Sequence, residues 1–191
     1  MREKSTSFVL LGALAAGGPM TGYELRNWIG DAVGDFWSES FGQIYPELRR
    51  LAAEGLVAPA ERDGEGKAYR LTAAGRSALT DWLARAPQAE RRRSELMLKL
   101  YFGRFLGTDT AAGLVFGALE RASRRVTELE AAAETLQRGE TRGEELVFAL
   151  LVSQRSLAAA RADLAWAERA AEAVAALEEG GPDAALAALT A

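Results

Sequence analysis

Ser40-Phe41-Gly42-Gln43-Ile44-Tyr45-Pro46-Glu47-Leu48-Arg49-Arg50-Leu51, followed by Glu54-Gly55-Leu56, decides how this 191-residue chain is read. At about 100° per residue, Ile44, Leu48 and Leu51 share one apolar stripe, while Gly42, Gln43, Pro46, Arg49, Arg50 and Ala53 lie on the other side. Ser40 with Gln43 has the spacing of a capping box, so a helix over 40–54 is expected. Gly55 suits the left-handed residue after a helix end, with Leu56 folding back onto the last turn. Pro46 falls one turn inside that helix and removes a hydrogen bond, which predicts an irregular or tightened first turn. The outward side offers Gln and Arg, side chains that bond adenine, guanine and phosphate. A solvated face on an ordinary amphipathic helix, with Gln43 serving its own cap, is the alternative at this point.

The surroundings favour the first reading. Upstream, Ser5–Ala16 predicts a helix with Phe8, Leu11 and Leu14 inward, ended by Gly17-Gly18-Pro19. Thr21 and Glu24 form a second capping box. The helix it opens is expected to run to about Ile29 and to bury Leu25, Trp28 and Ile29, with 30–39 a loop pinned by Phe36 and Trp37. Downstream, 56–61 and 67–71 are expected strands around a Gly-rich turn at 62–66. Thr72 then caps a fourth helix burying Leu79, Trp82 and Leu83. Three helices, a hairpin and a helix is the order of a winged helix-turn-helix.

Residues 87–93 read as a linker ending in Arg91, Arg92 and Arg93. Beyond it the composition turns Ala-rich and helical. Ser94–Leu106 is apolar nearly all round and is expected to be buried. Val115, Leu119, Ala122, Val126, Leu129, Ala133 and Leu136 follow a 4-3 spacing. So do Leu146, Leu150, Ser153, Leu157, Ala160, Leu164, Ala167, Ala171 and Val174. The turn between them carries a third expected capping box, Thr141 with Glu144. Two such helices predict an antiparallel hairpin of coiled-coil type, whose seams are also expected to join two chains. Gly180-Gly181-Pro182 ends the second helix. The fold class is therefore mostly α with a small β-hairpin. A winged helix-turn-helix over 1–86 precedes a helical dimerisation domain over 94–191.

Composition removes several function classes. With no Cys and no His, thiol nucleophiles, imidazole ligands and the Ser-His-Asp arrangement are excluded. Glu144-Glu145 and Glu178-Glu179 lie on exposed helical turns and make no acid–base dyad. No Gly-rich phosphate loop or metal-ligand spacing occurs, so neither an enzyme nor a cofactor is expected. Arg2 and Lys4 before Phe8–Ala16 outline a secretory signal. The apolar run is only nine residues, however, and Glu3 sits in the basic segment. No run reaches the ~20 apolar residues of a membrane span. A cytoplasmic protein with no membrane partner is the expectation.

Charge is the difficulty. Residues 1–85 hold ten Lys/Arg against eleven Asp/Glu, a net of −1. Any positive surface must be arranged locally, from Arg49, Arg50, Lys67 and Arg70 with Arg2 and Lys4 as further candidates, and with Glu47, Glu54 and Glu61 turned away. Trp28 and Trp82 are expected in the core. Trp37 and Trp166 are candidates for lining a pocket for a small aromatic effector.

These residues resemble the PadR family of transcriptional regulators. The matching blocks are Leu10-Leu11 with Gly18-Pro19, Thr21-Gly22-Tyr23-Glu24-Leu25, Ser40 through Leu48, Leu51 through Leu56, Lys67 through Thr72, Gly75, Leu79 and Trp82. The resemblance covers nearly all of 8–83, and more weakly 94–106. It implies a homodimer bound to a palindromic operator on double-stranded DNA, usually as a ligand-responsive repressor. It implies that the helix at 40–54 enters the major groove and the hairpin at 57–70 touches the flanking groove; the candidate DNA contacts are Thr21, Tyr23, Ser40, Gln43, Tyr45, Arg49, Arg50, Lys67 and Arg70. Dimerisation is assigned to Val126, Leu129, Leu146, Leu150, Leu157 and Leu164. Where the family wing is more basic, this chain has Gly64, Glu65 and Gly66, leaving Lys67 to carry wing contacts. A MarR-like winged helix and a winged-helix protein-interaction scaffold are the alternatives.

Overall fold

Ser5–Gly17 forms helix α1, and burial of Thr6, Ser7, Phe8, Leu10, Leu11, Ala13 and Leu14 makes it a core helix with little exposed face. The computed structural model describes residues 5–34, 36–37, 41–61, 66–88, 93–105 and 107–190 (without the side chains of Phe41 and Arg104). These fall into two units, Met1–Glu90 and Arg91–Ala191. In the first, strand β1 (Met20–Thr21) leads into helix α2 (Gly22–Val33). Helix α3 (Ile44–Ala53), strands β2 (Val57–Ala60) and β3 (Ala68–Leu71) and helix α4 (Ala73–Leu83) follow.

Local chemistry sets most boundaries. The Thr21 box closes as expected: Glu24 N donates to Thr21 Oγ1 at 3.2 Å, and Thr21 N to Glu24 Oε2 at 2.8 Å. Gly55, at φ 73°, ends α3. There Leu56 N donates to Leu51 O at 2.9 Å and Gly55 N to Ala52 O at 3.1 Å. This paired arrangement satisfies carbonyls that the helix leaves open. Thr72 caps α4 by accepting from Gly75 N at 3.0 Å.

The sheet has three antiparallel strands in the order β1-β3-β2, one more than expected. β1 is too short to show a period of its own. Met20 pairs with Tyr69 and Thr21 with Ala68, so the strand exists only through its partner. Pro59 is tolerated because β2 is an edge strand. Leu10, Leu25, Leu48 and Leu51 are fully buried at the centre of this unit, and Phe8 stacks on Trp82 with ring centroids 4.7 Å apart.

Several expectations need correction. α2 runs to Val33, past Ile29, because Gly30 sits in open space and its helix penalty of ~1 kcal/mol does not offset the hydrogen-bond ladder. Phe36 is exposed, whereas Trp37 is half-buried. α3 begins at Ile44 after a 3-10 turn over Phe41–Gln43, the tightened first turn that Pro46 predicted. Pro46 thereby falls in the first turn of the α-helix, where its missing N–H is one of the orphans. Leu83 is exposed because it ends α4 beyond the core.

The second unit is a long hairpin. Helix α5 (Glu95–Tyr101), a 3-10 turn (Gly103–Phe105), helix α6 (Thr108–Arg138) and helix α7 (Gly143–Thr190) follow in order. Ser94 caps α5, accepting from Met97 N at 3.2 Å. α7 is interrupted at Gly181, whose φ of 75° is not helical. Val115, Leu129, Ala160, Ala167 and Ala171 are buried between α6 and α7, with Leu119, Val126, Leu146, Leu150, Leu157, Leu164 and Val174 half-buried beside them. Arg161 Nη2 also bonds Glu130 Oε1 at 2.7 Å across the hairpin.

Two expectations fail in this unit. α7 starts at Gly143, so Thr141 lies too early to cap it with Glu144; its carbonyl instead accepts from Arg142 Nη1 at 2.7 Å. No residue of α5 is buried: Met97, Leu98, Tyr101, Phe102 and Phe105 are exposed, although Leu100 packs near Val115. An all-round apolar composition calls for a covering surface, which the described residues of this unit do not supply.

Candidate nucleic-acid interface

Helix α3 lies with Ile44, Glu47, Leu48 and Leu51 against the core of the first unit. Its register fixes what remains outside. Gln43, Tyr45, Pro46 and Arg49 are exposed. Gln43 occupies the N-cap position of α3 and makes no side-chain capping bond to that helix, while the Ser40–Gln43 box expected from the sequence involves Ser40, which lies outside the described residues. Arg49 is opposite the buried stripe and makes no ion pair or hydrogen bond among the described residues.

Gly22 brings the start of α2 beside this face. A Cβ there would sit 2.4 Å from the Tyr45 ring, so only glycine lets the aromatic ring lie over the helix start. Tyr23 is 63% exposed and Tyr45 55%, which leaves both hydroxyl-bearing rings at the surface beside α3. Thr21 is half-buried, with its oxygen accepting from Glu24 N. In β3, Arg70 is exposed, and at its foot Lys67 Nζ lies 5.5 Å from the Tyr69 ring centroid, a cation–π arrangement. Gly66, at φ 113°, turns the chain into this strand.

Arg50 is placed differently. Its Nη2 donates to Glu47 Oε1 at 2.6 Å and to Ser7 Oγ at 2.8 Å, and its Nε lies 3.2 Å from both Glu47 oxygens. Its Nη1 bonds Glu54, and Ser7 Oγ donates to Glu47. Glu47 and Ser7 are 5% and 4% exposed. The Glu47 hydrogen bond, opposed by partial burial and supported by Glu54, holds the Arg50 guanidinium firmly protonated. Sequence reasoning grouped Arg50 with Arg49 and missed this knot. The i,i+3 and i,i+4 spacings of Glu47, Arg50 and Glu54 were the available signal. Of the three acids required to turn away, Glu47 is buried and Glu54 is paired, whereas Glu61 is exposed.

Ser40, Arg62, Asp63, Gly64, Glu65, Arg91, Arg92, Arg2 and Lys4 lie outside the described residues. Of the aromatic candidates, Trp166 packs with Leu100, Val115, Leu119, Ala170 and Val174 in the second unit. Trp37 belongs to the first unit, and its buried Nε1 meets no hydrogen-bond partner among the described residues. The seam residues Val126, Leu129, Leu146, Leu150, Leu157 and Leu164 are occupied within the α6–α7 hairpin. Among the described residues no acidic cluster could hold a metal, and no helix is long and apolar enough to cross a membrane.

Three helices around a buried leucine core, an antiparallel hairpin and a polar helix face, with a long helical hairpin in the same chain, define a winged-helix transcriptional regulator. Residues 10–81 match the transcriptional regulator PadR-like family, and 92–175 match the virulence activator alpha C-terminal family. The negative transcriptional regulator PadR of Bacillus subtilis is 34% identical over 134 residues, spanning 68% of this chain and 73% of that protein. The chain belongs to the PadR family of transcriptional regulators. A structure of Bacillus subtilis PadR in complex with operator DNA is similar at a TM-score of 0.77 and 29% identity, over 90% of this chain and 99% of that one. One with p-coumaric acid gives 0.75 and 29%, over 92% and 100%.

Proposed function

We propose that this chain is a ligand-responsive repressor that binds a palindromic operator as a homodimer. The carrying observation is the α3 face, where Gln43, Tyr45 and Arg49 stand clear of the core that fixes their helix. Residues 1–86 engage DNA. Gln43 and Arg49 read base edges; Thr21, Tyr23, Tyr45, Lys67 and Arg70 hold phosphates. Residues 94–191 form the dimer and set two α3 helices about one DNA turn, ~34 Å, apart. The seam residues act by keeping the hairpin folded, while the apolar side chains it leaves open meet the second chain. The co-crystals of the Bacillus relative with operator DNA and with p-coumaric acid support both a DNA partner and a small aromatic effector. Trp37 in the first unit and Trp166 in the second are separate candidates for effector contact. The effector shifts the dimer only by its differential affinity for the DNA-competent arrangement.

Selection from random duplex DNA tests this directly: a two-fold symmetric consensus is expected, and unselected output would remove the operator. On the selected site, log affinity should fall against log salt with a slope steeper than about −3, the signature of several phosphate contacts. Arg49→Ala should weaken binding about tenfold or more and make the slope shallower by about 1 per protomer if Arg49 also touches phosphate. Unchanged affinity would show that α3 presents another face. A scaffold for proteins is the second reading, supported by the net −1 of residues 1–85. It predicts no DNA shift even at low salt.

A further inference from the structure

We propose that Arg50 is a positioning residue, not a DNA contact: with Glu47 and Ser7 it fixes helix α3 against α1 at the angle from which Gln43 and Arg49 read DNA. The inference rests on the DNA-binding reading above and deepens it. Its basis is geometric. One 100° step separates Arg49, opposite the buried stripe, from Arg50 at the stripe's edge beside Glu47. Arg50 spends its guanidinium on three protein partners: Glu47, Glu54 and, across 43 residues of chain, Ser7. The Ser7 hydroxyl donates to Glu47 and accepts from Arg50, so neither helix can slide or roll without breaking a bond made to the other.

Charge supports the same division of labour. Glu47 lies on the helix that approaches a polyanion, and it is buried under the core. Removing its counter-charge would strand a carboxylate in a low-dielectric setting. Arg50 neutralises that carboxylate, and Arg49, four atoms of backbone away and unpaired among the described residues, is left for the duplex. A phosphate approaching Arg50 would compete with Glu47 and Glu54 for a guanidinium whose charge they already neutralise.

The distinguishing variants are Ser7→Ala, Arg50→Gln and the double variant Glu47→Gln/Arg50→Gln, which keeps the net charge. Each is compared with wild type on the selected operator and on unrelated duplex, over a range of salt, after a thermal melt confirms folding. Ser7→Ala and Arg50→Gln should each lower operator affinity about tenfold, the worth of one misplaced base contact. Affinity for unrelated duplex should be unchanged, and the double variant should recover most of the loss at wild-type salt slope. The idea is overturned if Ser7→Ala is inert. It is equally overturned if the double variant weakens both duplexes alike with a slope shallower by about 1 per protomer, since that is how a phosphate contact behaves. If Arg50→Gln does not fold, Ser7→Ala and the double variant decide. Wild type that binds no DNA at any salt defeats the underlying reading instead, a result visible before any variant is made.

Discussion

Gly75→Ala should unfold the first unit far more readily than its one added methyl suggests. A Cβ at Gly75 would lie 2.0 Å from the Leu56 carbonyl oxygen, 3.0 Å from its carbonyl carbon and 2.8 Å from Leu71 Cδ1. The obstructing atoms are mostly backbone, so no rotamer relieves the clash. That carbonyl is also a junction. It accepts from Thr72 N at 3.2 Å and from Thr72 Oγ1 at 3.0 Å, and the same hydroxyl accepts from Gly75 N at 3.0 Å. Pushing α4 outward therefore opens the cap, the helix end at Gly55 and the hairpin root together. Overpacking of about 1–3 kcal/mol combined with weakened part-buried hydrogen bonds gives a cost of roughly 2–4 kcal/mol. Urea unfolding followed by fluorescence of Trp28 and Trp82 would measure it. Gly55→Ala is the control: its φ of 73° is strained for alanine, but no atom lies within 4 Å of the new methyl, so about 1 kcal/mol is expected. Equal losses in the two variants would mean that α4 adjusts freely and that the junction is not rigid.

What could be read without the structure follows a physical line between local and distant chemistry. The Thr21–Glu24 box and the Gly55 helix end were legible because each is closed by hydrogen bonds spanning three to five residues. The hairpin seam from Val115 to Leu136 and from Leu146 to Val174 was legible because periodic burial repeats itself over many turns. β1 was not, since two residues carry no period and its pairing to Tyr69 and Ala68 is made across the chain. The partition between Arg49 and Arg50 was half legible. Spacing announced Glu47, Arg50 and Glu54 as neighbours, but nothing in the sequence pointed to Ser7 on α1. Ser94–Leu106 shows the converse. Its composition calls for burial, and its Tyr101 is nonetheless 82% exposed.

Phe148→Glu should convert the proposed dimer to protomers while leaving each protomer folded. α7 carries two apolar stripes on roughly opposite sides. Leu146, Leu150, Ser153 and Leu157 turn toward α6 and are half-buried there, whereas Val147, Phe148, Leu151 and Val152 are between 45% and 67% exposed. A helix that covers one stripe inside its own hairpin and leaves another of Val, Phe, Leu and Val in water presents an unfilled packing surface. Exposed Leu98, Tyr101, Phe105 and Phe116 add further uncovered apolar area in the same unit. A charge at Phe148 disturbs no core contact of comparable depth, so the melting temperature of the protomer should hardly move. Association should fail, with the mass in sedimentation equilibrium halving at micromolar concentration. Operator affinity should then drop by roughly 10²–10⁴, because the second half-site contact is no longer intramolecular. Leu150→Glu makes the opposite prediction: it attacks the seam, so helical content and stability should fall before association is measured. A Phe148→Glu protein that keeps wild-type mass and operator affinity would place the dimer contact elsewhere. A wild-type chain already monomeric at those concentrations would remove the two-fold operator with it, since one α3 helix reads only one half-site.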